Sequence, residues 1–484
     1  MFLHLDPKFE FIPTWLTRFQ QLLVVSGLLM GSLQPVLAQN PIVPPGIYIA
    51  DPSAHVWKDG KLYVYGSTDE NPSVYCSKRY EVLSSTDLKA WQRSGQSFAS
   101  QGAHDQVPYN DALLWAPDVQ YRNGKYYLYY CQFDPKNTEG VAESTSPTGP
   151  FTKSTPLYTK GINQIDPCVF IDDDGQAYYI WGQLNAKVAK LKPNMREIDT
   201  TTIRENVVTQ QAHHFHEGAY MLKRKGLYYL IYADVSRANR PTCLGYSTSR
   251  SPFGPFTYQG VIVDNDHSDP VVWNNHGSLV EFKGQWYVFY HRSTHGSVSM
   301  RKTCLEPIRF RPDGTIPEVE MTSQGAAGPL DAFAELDAAR ACLLLGNVRI
   351  QATAADNEVL GELRSGDKAG FKYLNFGAGA DSVSFRVAPG SKPCRINLFV
   401  NDIWSTPIGS VDVPAKKAEK WVTVKAAVHV PAGTHALWLS FTDPAATGMF
   451  DLPLPNTRPG TEELFQVDAL RFYAKKAGTS GKSR

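Results

Sequence analysis

This chain of 484 residues has no CxxC pair, no long basic block and no apolar run of membrane-spanning length. Its seven cysteines, Cys76, Cys131, Cys168, Cys243, Cys304, Cys342 and Cys394, are scattered. That scatter disfavours a zinc site and a dense disulfide framework. Their odd number leaves at least one thiol free or paired between chains, and buried apolar thiols are the expected state of most. Charge is nearly balanced, 48 Lys+Arg against 47 Asp+Glu, and only the short C-terminal tail is basic. A nucleic-acid partner needs a concentrated positive surface, so none is expected. The apolar run Leu22 to Met30 falls short of the about 20 residues that a membrane helix needs.

That run instead fits an export signal. Lys8 and Arg18 precede it, and Pro35 with Val36-Leu37-Ala38 follows it as a small-residue cleavage pattern. Residues 1–38 are expected to be removed, making Gln39 the first mature residue. The protein is then expected to be secreted or periplasmic, with no membrane span after cleavage. The remaining length allows two or three domains. Aromatic content is 12%, with 24 Tyr and 10 Trp. Such a composition suits an aromatic-rich β core, and flat rings also pack against the C–H faces of sugars.

A repeat occupies the first three hundred residues. Five segments share a turn glycine followed by an aromatic or β-branched strand: 59–65, 123–129, 174–180, 225–231 and 283–289. Glycine at the turn tolerates positive φ, and the apolar strand after it is buried on both faces. The glycines, Gly60, Gly124, Gly175, Gly226 and Gly284, recur at intervals of about 50 to 65 residues, enough for one four-stranded blade each. No convincing amphipathic helix interrupts the series. The fold class expected is all-β, a five-bladed β-propeller followed by a β-sandwich.

Nine residues before each glycine stand Asp51, Trp115, Asp166, Glu217 and Asn275. The step lands before the strand entering each hairpin, so the repeat phase places all five at one mouth of the axial channel. Like charges gathered in this way cost stability unless they have a use. Asp51 and Asp166 each precede a proline, which is expected to hold the acid's own backbone extended. Glu217 precedes Gly218, which lets backbone or ligand approach closely. Glycoside hydrolysis needs a general acid on the leaving oxygen and a base or nucleophile on the opposite face of the sugar. Glu217 and Asp51 can supply that pair, and Asp166 can adjust the acid. An inverting enzyme separates the two carboxyls by ~6.5–9.5 Å to leave room for water.

The motifs 50–53 (Ala-Asp-Pro-Ser), 115–119 (Trp-Ala-Pro-Asp-Val), 165–170 (Ile-Asp-Pro-Cys-Val-Phe), 216–218 (His-Glu-Gly) and 274–278 (Asn-Asn-His-Gly-Ser) together resemble glycoside hydrolase family 43, over about residues 45–325. The resemblance implies an inverting mechanism, with Asp51 as general base, Glu217 as general acid and Asp166 as pKa modulator and orienter. It implies β-xylosidase or α-L-arabinofuranosidase action on plant cell-wall polysaccharides or their oligosaccharides. Endo-arabinanase activity and a catalytically silent carbohydrate-binding propeller stay as alternatives. Trp115, Arg301 and His276 are the substrate-binding candidates. No cofactor is required and no metal ligand is assigned, a structural calcium near His276 being the open alternative. His213, His214 and His216 are expected on one extended strand without a metal. Asp172-Asp173-Asp174-Gly175 lacks the later glutamate of a calcium loop and is read as a hairpin turn.

After Gly325 the composition changes. The domains expected are a signal peptide at 1–38, a propeller at 39–325, a β-sandwich at 326–475 and a disordered tail at 476–484. Short alternating strands at 382–387, 395–400, 421–430 and 435–441, separated by Gly/Pro turns, carry the sandwich reading. This part resembles carbohydrate-binding module family 6, chiefly in 430–439 and 465–472. Tyr373, Trp404 and Phe450 are candidate sugar platforms, with core packing as the competing role. The module is expected to matter for polymeric substrates or stability.

Overall fold

The computed structural model describes residues 39–133, 139–162, 164–237, 240–416, 420–445 and 463–475. The signal expected at 1–38, the tail expected at 476–484 and Phe450 lie outside them.

The turn glycines do what their spacing predicts. Gly60, Gly124, Gly175, Gly226 and Gly284 all have φ between 74° and 83°. Each closes a hairpin between the first and second strands of an antiparallel sheet. The first sheet contains β1 to β4 (Ile49–Val56, Leu62–Thr68, Arg79–Ser85, Gln92–Ala99). The second contains β5 to β8 (Leu114–Arg122, Lys125–Gln132, Glu139–Ser144, Thr152–Pro156). The third contains β9 to β12 (Cys168–Ile171, Ala177–Trp181, Lys187–Leu191, Ile198–Arg204). A four-residue helix, α1 (Gln210–His213), precedes the fourth, β13 to β16 (Phe215–Arg224, Leu227–Asp234, Cys243–Ser249, Thr257–Asp264). The fifth contains β17 to β19 (Ser278–Phe282, Gln285–Thr294, Ser297–Ile308).

Strand order within each sheet is sequential, as a propeller blade requires. The second strands (Tyr-Val-Tyr in β2, Tyr-Leu-Tyr-Tyr in β6, Tyr-Tyr-Leu-Ile in β14) are buried on both faces, because each blade is covered on both sides by its neighbours. The first strands β1, β5, β9, β13 and β17 contact one another in a closed cycle. Ser278 Oγ fastens the ends of that cycle, accepting from Ala54 N at 2.9 Å and donating to Pro52 O at 2.7 Å.

Blade five departs from the four strands expected, having three. The N-terminal stretch lies along its outer strand: Ile42 N donates to Thr303 O at 2.9 Å, and Leu305 N to Asn40 Oδ1 at 2.9 Å. The two ends of the propeller therefore meet in the last blade.

The sandwich has two sheets. One contains β20 (Leu330–Asp331), β22 (Leu343–Leu345), β25 (Lys368–Asn375), β27 (Cys394–Val400), β28 (Gly409–Val413) and β30 (Thr434–Thr442). The other contains β21 (Leu336–Asp337), β23 (Arg349–Ala354), β24 (Asn357–Gly361), β26 (Ala380–Pro389), β29 (Val422–Val430) and β31 (Phe465–Ala474). Phe371, Phe385, Leu398, Leu437, Leu439 and Val467 interdigitate in a single apolar core, the arrangement that alternating strands dictate. Propeller and sandwich belong to one unit. Backbone bonds join them, including His295 N to Ile350 O at 3.0 Å and Leu344 N to His267 O at 2.7 Å. Among the described residues no helix is long and apolar enough to cross a membrane.

Candidate active site

All three acids sit where the inner strands break regular pairing. In β1 the register shifts between Ala50 and Ser53, and Asp51 has φ 52°. Asp166, just before β9, has φ 59°. In β13 the register shifts on both sides of Glu217, with Gly218 at φ 69°. This corrects the expectation of an extended backbone before proline. Aspartate tolerates the left-handed region, and an irregularity there re-aims the side chain out of the ladder. Such local strain is characteristic of functional positions.

Asp51, Asp166 and Glu217 line one pocket of ≈ 210 Å³, with Trp115, Arg301 and His276 in the same wall. Asn275, placed at the mouth by the repeat phase, is fully buried and donates to Thr242 O at 2.9 Å. Its neighbours Asn274 and His276 face the pocket instead. The segment leading into β17 is irregular, so the phase slips by one residue there.

Asp51 is held by the densest set of partners. Arg301 Nη1 donates to Oδ1 at 2.7 Å and Ser67 Oγ to Oδ2 at 2.6 Å. Asp51 N donates to His291 Nδ1 at 3.2 Å, so the proton of that ring belongs on Nε2, facing Asn274 O at 3.1 Å. Burial works to raise the Asp51 carboxyl, but the Arg301 charge, His291 and His276 outweigh it and hold it well below the usual carboxylate range. Burial lowers His291 and His276 against the pull of Asp51.

Arg301 is only 2% exposed, so it is no surface arginine. Besides Asp51 it clamps Asp69, through Nε at 2.9 Å and Nη2 at 3.0 Å, and lies over the Tyr75 ring. Most of its donors are thus committed to carboxylates. His276 Nδ1 stands 3.7 Å from Asp51 Oδ1 and 3.8 Å from Asp166 Oδ2, so both aspartates approach the same imidazole nitrogen. A Cβ on Gly218 would come within 2.9 Å of that ring; the group whose close approach this glycine permits is His276.

Asp166 is pushed well above the usual range by burial first, then by the charges of Glu217 and Asp51. Its N–H donates to Cys131 Sγ at 3.2 Å. Glu217 accepts from Gln183 Nε2 at 2.9 Å and Asn274 Nδ2 at 3.4 Å. Asp118 of the Trp-Ala-Pro-Asp motif lies beneath the site and ties three blades together. It accepts from Ser53 Oγ at 2.6 Å and Val169 N at 2.7 Å, and pairs with His55 Nε2 at 2.7 Å.

Trp115 stacks on Phe133, ring centroids 5.6 Å apart and planes 18° apart. Phe133 is 75% exposed and Trp273, across the pocket lining, is 45% exposed. His213 and His214 lie not on the strand but on and just after α1, His214 with φ 59° as its C-cap. His216 alone of the three histidines lines the pocket. Asp172 to Gly175 form a hairpin turn, with Asp172 paired to Lys223 at 2.6 Å. Sequence reasoning missed Asp69, His291, Gln183, Asn274, Tyr75 and Trp273. Only Asn274, the first residue of the last quoted motif, and Trp273, beside it, carried a local signal.

The chain matches the family model described as glycosyl hydrolases family 43 over residues 38–316, and that of carbohydrate binding module (family 6) over residues 345–453. It is 30% identical to a xylosidase/arabinosidase of Thermoclostridium stercorarium, over 83% of this chain and 95% of that protein. Among solved structures, a β-xylosidase/α-arabinofuranosidase from a compost microbial metagenome, in complex with xylotriose, shares 30% identity. The match covers 58% of this chain and 97% of that one, with TM-score 0.51. An arabinoxylan arabinofuranohydrolase of Bacillus subtilis, in complex with cellotetraose, shares 25% identity, over 91% of this chain and 98% of that one, with TM-score 0.50.

Proposed function

The chain belongs to glycosyl hydrolases family 43, and from that premise we propose that it removes xylose or arabinofuranose units from plant xylan-type polysaccharides or their oligosaccharides, with inversion. It is a glycoside hydrolase with a polysaccharide substrate. The observation that carries the reading is the convergence of Asp51, Asp166 and Glu217 on one pocket.

In this reading Asp51 is the general base. A carboxylate held ionised by the Arg301 guanidinium and a hydrogen bond from Ser67 accepts a proton from water across the pH range in which the enzyme works. Glu217 is the general acid, oriented by Gln183 and Asn274. Asp166 retains its own proton because burial, and then the charges of Glu217 and Asp51, push its carboxyl up. The proton is thereby kept on the side of the pocket where the leaving oxygen will need it. Trp115 offers a face to the sugar. Arg301 holds the base and meets substrate as part of the lining, and His276 borders both aspartates.

The proton transfers assigned to Asp51, Glu217 and Asp166 involve no metal. A phosphorylase would need a free cation for phosphate. The only Lys or Arg lining this pocket, among the described residues, is Arg301, already bound to two carboxylates. The amino-terminal pattern supports export, so the enzyme acts outside the cytoplasm; a mature protein beginning at Gln39 would bear this out and one retaining residues 1–38 would contradict it.

A screen on aryl β-xyloside, aryl α-L-arabinofuranoside and linear arabinan tests the substrate class. Turnover of either aryl glycoside, with the product anomer inverted by NMR, is expected. Exclusive action on linear arabinan would favour the endo-arabinanase alternative. Retention of anomeric configuration would overturn the base assignment.

A further inference from the structure

Arg301 and Lys302 are successive residues of β19, so their side chains leave opposite faces of the strand. Arg301 points to the pocket and grips Asp51. Lys302 points to the sandwich and is buried against Glu358 of β24, Nζ to Oε2 at 2.5 Å. The same glutamate accepts from Tyr48 OH at 2.8 Å and Gly46 N at 3.3 Å. Both of those residues lie just ahead of β1, the strand that carries Asp51. Tyr48 O in turn accepts from Asp69 N at 3.0 Å, and Asp69 is the second carboxylate clamped by Arg301. The fit is close: a Cβ on Gly46 would stand 2.0 Å from Ala355 O of the sandwich.

We infer that Glu358, in the C-terminal module, is a positioning residue for the general base, holding β1 and β19 in the spacing that keeps Arg301 on Asp51. The inference rests on the assignment of Asp51 as base. Two routes of direct contact lead from Glu358 to Asp51, one through Lys302 and the backbone of β19 to Arg301, the other through Tyr48 and Asp69 to the same guanidinium. A buried ion pair is costly to keep and often replaceable by apolar residues without loss of stability. One spanning two domains directly behind a catalytic wall has a use that stability alone does not supply. On this account the module acts on turnover of small substrates as well as on polymer binding.

The groups facing Asp51 are Arg301, His291, His276 and Ser67, with Asp69 and Asp166 beyond. Those facing Glu358 are Lys302, Tyr48 and His295, and Asp337 and Arg340 stand near Lys302. The variant pair Lys302→Met with Glu358→Leu removes one charge of each sign together. Any change at Asp51 then reports altered geometry rather than a changed net field. Tyr48→Phe, which deletes one hydroxyl, is the milder variant if the pair fails to fold.

The pH profile of kcat and KM on an aryl glycoside is measured per folded molecule in the full-length chain, beside Asp51→Asn. A loosened Arg301 lets the Asp51 pKa rise, so the acidic limb of kcat moves to higher pH. At the optimum kcat falls by about 10- to 10²-fold, as misplacement of a catalytic group by about an ångström does, with KM little altered. Tyr48→Phe moves the limb in the same direction by less. A folded variant of either kind with a wild-type acidic limb and kcat overturns the inference, even if its melting temperature falls. If instead Asp51→Asn keeps wild-type activity, the reading of the site itself has failed.

Discussion

The propeller and the sandwich bury different things. The sandwich closes over one continuous cluster of Leu, Val, Ile and Phe. The propeller divides its apolar core among the gaps between blades and gathers charge at the axis: Asp51, Asp166 and Arg301 are all nearly solvent-free. It also carries the positive-φ aspartates. One domain spends its interior on cohesion. The other tolerates local strain and desolvated charge that its neighbouring blades hold in place. Function is expected to fail first where charge is buried, and stability where apolar volume is buried.

The largest contrast comes from one substitution in each region. Asp51→Asn should lower kcat/KM on an aryl glycoside by about 10²–10⁴-fold or more. Trp404→Ala, at an indole 69% exposed on the sandwich, should leave that value unchanged and weaken only binding to insoluble or polymeric xylan. Equal effects of the two on the small substrate would erase the division of labour.

Asp166→Asn should fall between these in activity loss. It removes a carboxyl that burial and the charges of Glu217 and Asp51 keep protonated beside the general acid. The basic limb of the profile is then expected to shift, because the proton held next to the acid has gone. An unmoved limb would remove Asp166 from the role of modulator. In the sandwich core, Leu437→Ala, at a fully buried side chain, should cost about 2–5 kcal/mol. Denaturant unfolding would read that loss, while both limbs of the pH profile, taken per folded molecule, stay in place.

The smallest effect concerns Glu306 of β19. Burial raises its carboxyl to about 8, against hydrogen bonds from Thr322 and Tyr290. A group raised in the folded state adds stability that is complete below its unfolded value of 4.5 and fades as pH rises through about 8. Melting temperatures followed from pH 5 to about 9 should therefore decline, and Glu306→Gln should flatten the slope. An unchanged slope in that variant would assign the pH dependence to other groups.

The blade pattern was legible because its signal is local: a hairpin turn demands positive φ, glycine supplies it, and the count of such turns gives the count of blades. The sandwich strands read at 382–387, 395–400, 421–430 and 435–441 lie within β26, β27, β29 and β30 to within a residue or so. The acids were legible as a phase in that repeat. The phase failed by one residue at Asn275, where no regular strand precedes β17. The backbone at Asp51 and Asp166 was misread because the rule for a residue before proline describes the isolated dipeptide, whereas the pairing irregularity depends on the neighbouring strand. His291, Asp69 and Glu358 carried no signal. Each matters through a partner more than two hundred, or in Glu358's case some fifty to three hundred, residues away, and no local pattern encodes such a pairing. Tyr373 was a candidate platform, but its hydroxyl bonds Glu320 at 2.5 Å, on the segment that joins the two domains.

The separation of acid from base at the axis is tested most directly by leaving-group dependence. kcat/KM is measured for Glu217→Gln and Asp51→Asn on an aryl glycoside with an acidic phenol, and on the matching oligosaccharide whose sugar alkoxide leaves poorly. The account predicts that Glu217→Gln retains far more activity on the aryl glycoside than on the oligosaccharide, because the phenol leaves without a proton, while Asp51→Asn is severely impaired on both. Rescue of Asp51→Asn alone by the good leaving group would reverse the two roles, and full activity in both variants would remove the active site from the ring of acids.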